Sequence, residues 1–88
     1  MELLPLVALE SIAEVLTFGA AKYADDGWKH LEGAEGRYLG ALLRHLTAIE
    51  RGEVLDPESG LPHISHVACN SMFLTYFKLK ELENVTEL

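Results

Sequence analysis

The densest chemistry in this chain lies between Glu50 and Asn70, in ERGEVLDPESGLPHISHVACN. His63, His66 and Asn70 stand at i, i+3 and i+7, a spacing that stacks their side chains along one face of a helix. Glu50, Glu53 and Asp56 precede them at intervals of three. A short antiparallel reversal would bring the acids onto the histidines, and carboxylate oxygen plus imidazole nitrogen from facing helices is how a bundle builds a divalent-cation site. The paired histidines admit a second reading, hydrogen bonding to backbone; the acids just upstream favour ligands. Both imidazoles sit at the start of the expected helix, where the dipole disfavours imidazolium and keeps the rings neutral. His30 has no such company and reads as a surface-loop residue.

Three helical blocks separated by two glycine-rich breaks must position these groups. From Pro5 to Tyr23, Ala8, Leu9, Ile12, Val15, Leu16, Gly19 and Tyr23 share a sector opposite Glu10, Ser11, Glu14 and Thr17, the pattern of an amphipathic helix. Gly19 inside it costs about 1 kcal/mol relative to Ala, so close packing is expected there. Ala24 to Gly36 reads as a loop, and its Trp28 either plugs a gap between helices or offers a flat face to a ligand, with packing favoured. The second block, Arg37 to Arg51, places Tyr38, Leu39, Leu42, Leu43, Leu46 and Ile49 on one face. Arg37, Ala41, Arg44, Ala48 and Arg51 form the other, a stripe suited either to solvent or to an anion, with His45 at the border. Gly52 to Leu61 is the second break. The third block starts near Pro62 and runs to about Glu83, apolar around much of its circumference, as expected of a helix covered by neighbours or by another subunit; the NVTEL tail is expected to fray.

Size and charge narrow the classes. Eighty-eight residues make one domain, residues 1–88, and a marginal core favours self-association. A single cysteine excludes an internal disulfide, and no apolar run reaches membrane-span length, so a cytoplasmic protein with no membrane partner is expected. A net charge of −7 without a basic run disfavours a nucleic-acid polymer, whereas a phosphorylated small molecule remains accessible through divalent ions.

The runs FGAAKYADDGW and GALLRHLTAIERGEVLDPESGLPHISHVACNSMFL resemble the small phage and bacterial dATP/dGTP diphosphohydrolases, a MazZ-like branch of the MazG-like all-α nucleotide pyrophosphohydrolases. The likeness spans about Leu4 to Tyr76, and its specific part is GExxDPESGLPHxxHxxxN. It implies an all-α helical bundle, assembled as a dimer or tetramer. The implied reaction is cleavage of purine deoxynucleoside triphosphates, dGTP or dATP, between the α and β phosphates with Mg²⁺ or Mn²⁺, in MazZ-like members feeding 2-aminoadenine nucleotide metabolism. Broader MazG-like enzymes pair E-x-x-E with E-x-x-D; here Glu50 and Glu53 match the first motif, while His63 and His66 stand where the second is expected.

In that frame Glu50, Glu53, Asp56, His63 and His66 are the metal ligands, and Glu53 is the candidate base for the attacking water. Lys22 and Arg44 would meet phosphate oxygens, Tyr23 or Trp28 the base, and Asn70 the ligand or its sugar. A histidine-bearing site shifts preference toward Mn²⁺, and a carboxylate site toward Mg²⁺. A histidine-aspartate phosphohydrolase is disfavoured because no His-Asp pair is adjacent in the chain. The other class open to the sequence is a non-catalytic metal-binding or oligomerisation module.

Overall fold

The computed structural model describes residues 3–22 and 27–86. Three helices carry them: α1 (Leu6–Lys22), α2 (Ala34–Glu50) and α3 (His63–Thr86), with a short 3₁₀ turn, Gly27–Lys29, before α2. Among the described residues there is no sheet; the one bridge, Leu55 to Pro62, ties the loop between α2 and α3. The chain is all-α, as the periodicity predicts.

Boundaries follow backbone chemistry. Gly33 adopts a left-handed conformation (φ 66°) and starts α2 at Ala34, three residues before the expected Arg37. Gly36, expected in the loop, is therefore helical; the break is carried by the glycine that needs positive φ. At the other end, Gly52 (φ 91°) closes a Schellman turn in which the Glu53 amide donates to the Ala48 carbonyl at 3.0 Å and the Gly52 amide to Ile49 at 2.9 Å. Helix α3 outlasts the expected Glu83 stop, and Asn84 to Thr86 of the tail expected to fray are helical.

Helix α3 packs on both α2 and α1, whereas α1 and α2 scarcely meet. Val15, Ala34, Tyr38, Cys69 and Phe73 form the buried apolar core. Trp28 takes its packing role: its ring stacks on Phe73 at 4.5 Å, meets Tyr76 and Phe77 edge-on, and its carbonyl accepts the Tyr38 hydroxyl at 2.6 Å. Such ring pairs contribute about 0.5–1.5 kcal/mol each beyond burial, enough to fix the loop against α3.

Two expectations are corrected. Leu39, Leu43 and Leu46 face outward on α2, more than two-fifths exposed. The inward column is Ala34, Tyr38 and His45, because α2 approaches α3 through small and aromatic residues that let the histidines meet. Gly19 is not closely packed by the described residues either: a Cβ there would meet none of them within 4 Å, and this side of α1 borders an open cavity.

Candidate metal and nucleotide site

The α2–α3 loop is a small clasp. The Asp56 amide donates to Leu61 and the His63 amide to Val54, both at 2.8 Å, so the chain doubles back and delivers Asp56 beneath the first turn of α3. Asp56 Oδ2 accepts the Ser59 amide at 2.8 Å, which holds the carboxylate in place. Above it, His45 of α2 meets His63 and His66 of α3. The Nδ1 atoms of His45 and His63 lie 2.8 Å apart, one donating to the other, and the His45 and His66 rings stack at 4.4 Å and 9°.

Among the described residues, His45, Asp56 and His63 each offer one ligand atom within 4.8 Å of the others. Two nitrogens bound to one ion at about 2.1 Å stand about 3 Å apart at near-right angles, so only a small ring movement separates the hydrogen-bonded pair from a shared-ligand pair. His63 is 3% exposed, and its Nε2 is buried without a hydrogen-bond partner, 3.7 Å from Glu53 Oε1. A buried polar atom left unpaired costs about 1–3 kcal/mol. Two imidazoles, one of them carrying the orphaned Nε2 of His63, and a carboxylate fit a borderline divalent cation.

Burial, reinforced by neighbouring His66, pushes His45 down to about 4, so its imidazole is neutral near pH 7. Burial also lowers His66 below its ordinary value. Desolvation, rather than the helix dipole expected from the sequence, is the leading cause. Burial raises the Asp56 carboxyl, but the Ser59 amide and side chain together with His66 and His45 outweigh it and leave Asp56 below its usual value. A neutral imidazole beside an ionised carboxylate is the protonation state that metal binding needs.

The remaining candidates fall around this group. Glu53 lies beside it at 52% side-chain exposure, and Glu50, the last residue of α2, is exposed and outside the group of three. His66 Nε2 is engaged by Ser59 Oγ at 2.7 Å and lies 3.9 Å from Asp56, so the histidine stacks behind His45. Asn70 is buried and donates to the His66 carbonyl at 2.8 Å. Arg44 is exposed at the junction of two hollows. Tyr23 lies outside the described residues, as does the side chain of Lys22.

The larger hollow, about 660 Å³, occupies the gap between α1 and α2. Leu16, Trp28, Tyr38 and Phe73 give it apolar walls, Arg44, His45, Asp56 and Asn70 polar ones, and Arg37 adds a charge next to Tyr38. His45 and Ser59 are the residues that the sequence did not assign. The seven-residue step from Tyr38 to His45 was the available signal for His45, since two turns keep both on one face. Locally, Ser59 is marked only as part of the Ser-Gly turn signal in the break after α2.

Comparison with known proteins agrees with the motif. Residues 1–86 match the family described as dATP/dGTP diphosphohydrolase, N-terminal. A dATP/dGTP diphosphohydrolase from Salmonella phage PMBT28 is 37% identical over 65 residues, covering 74% of this chain and 22% of that protein. The chain thus spans less than a quarter of the relative it matches. No solved structure matches. With a family match over nearly its whole length, the chain belongs to the dATP/dGTP diphosphohydrolase N-terminal family.

Proposed function

We propose that this chain binds Mg²⁺ or Mn²⁺ through His45, Asp56 and His63, and hydrolyses dGTP or dATP to the nucleoside monophosphate and pyrophosphate. The observation that carries this reading is the convergence of two buried imidazoles and a fixed carboxylate, with His45 and Asp56 lining a cavity large enough for a nucleotide and His63 lining the smaller hollow beside it. The mixed nitrogen and oxygen donor set favours Mn²⁺ over Mg²⁺. The substrate class rests on the family and on the phage relative's name.

In the reaction, a water oxygen forms a bond to the α phosphorus and the bond from that phosphorus to the α–β bridging oxygen breaks, releasing pyrophosphate. A bound divalent ion supplies neutralisation of phosphate charge and a lowered pKa for water. Glu53, exposed and next to His63, takes the proton from the attacking water. Arg44 offers a fixed positive charge to the departing oxygens. Ser59 and the His66 ring hold Asp56 and His45 in register.

The exposed leucines of α2 fit a MazG-like assembly of two or four chains. Incubation with dGTP and Mn²⁺, with separation of products, tests the reading. Wild-type protein should yield dGMP and pyrophosphate, and Asp56→Ala should lose at least about a hundredfold in rate while keeping its helical content. Release of orthophosphate by way of dGDP, or full activity in Asp56→Ala, would refute it.

A further inference from the structure

Three glycines, Gly19 on α1 and Gly36 and Gly40 on α2, line the larger cavity. None has a positive φ, and a Cβ at any of them would meet no described residue within 4 Å. Within the described residues of this chain, neither backbone conformation nor close packing requires glycine at these positions. Each is also a poor helix former in the interior of a helix. What the three share is the space in front of them, the gap between two helices that scarcely touch.

The cavity is graded along α2. Tyr38, against Phe73 at 4.6 Å, marks the apolar end, and His45, against His66 at 4.4 Å, marks the polar end. Seven helical residues separate them, a rise of about 10 Å. A ligand with anionic groups near His45 and Asp56 and a flat ring near Tyr38 and Phe73 matches these walls.

We infer that Gly19, Gly36 and Gly40 are specificity-determining residues that keep the cleft between α1 and α2 wide enough for the heteroaromatic ring of a nucleotide whose phosphates lie at the His45–Asp56 end. The inference rests on the proposed nucleotide reading and adds where the ring goes and what reserves its place. Leucine is a far better helix former than glycine and its side chain enters the open cleft at Gly40, so Gly40→Leu gains stability and loses room for the ring.

The test compares dGTP with inorganic tripolyphosphate, which has the phosphates and lacks the ring, each titrated into wild type and Gly40→Leu with Mn²⁺. Gly40→Leu should melt about 2–6 °C higher than wild type, bind dGTP at least tenfold more weakly and bind tripolyphosphate within twofold of wild type. Gly40→Ala, a smaller intrusion, should fall between the two for dGTP. Unchanged dGTP affinity in Gly40→Leu, or equal weakening toward both ligands, would overturn the inference and leave the nucleotide reading standing. Wild-type protein that binds neither ligand would overturn both.

Discussion

His45 is the residue on which the site turns, and its burial sets a pH dependence. An imidazole held at about 4 in the folded chain and near 6.5 in the unfolded one resists protonation in the native state. The unfolded chain therefore binds the extra proton first. Its contribution to stability is fully present above about pH 6.5 and is lost as pH falls from there toward 4. The melting temperature of the metal-free chain should fall between pH 7 and pH 4.5, and His45→Gln should flatten that fall. Equal slopes in the two proteins would contradict the assignment. Cys69, fully buried with its thiol pushed up to about 12, has no part in this chemistry and acts as a small core residue. His63, His66 and Asp56 were legible in the sequence because their spacing is local; His45 reaches them only through the α2–α3 packing.

At the scale of elements, helix existence was legible and helix orientation was not. Periodicity located all three helices to within a few residues, since it depends only on neighbours along the chain. The face of α2 that points inward depends on what α3 presents: Tyr38 is buried as its place on the apolar face predicts, but its buried partners are Ala34 and the border residue His45 instead of Leu39, Leu43 and Leu46. Leu39, Leu43 and Leu46 are consequently left on the surface, with Leu43 at 54% exposure. A charge placed there should disrupt a subunit contact without disturbing the chain's own core. Sedimentation should show wild-type protein as a dimer or larger at micromolar concentration and Leu43→Glu as a monomer with the same helical content. A wild-type monomer would remove α2 from any interface.

The whole molecule is more open than its length requires. Its radius of gyration is 14.0 Å, against about 12 Å for a compact domain of this size. The excess agrees with a gap between α1 and α2 and with a core of few fully buried side chains. The proposed cation site lies in one place, where His45, Asp56 and His63 each offer a ligand atom beside the open cleft. Pulsed electron paramagnetic resonance on the chain loaded with Mn²⁺ probes that site directly. The bound ion should show nuclear modulation from imidazole nitrogen that weakens in His63→Ala, and manganese affinity should drop at least about tenfold in Asp56→Ala. A wild-type spectrum with oxygen ligands alone would contradict the account.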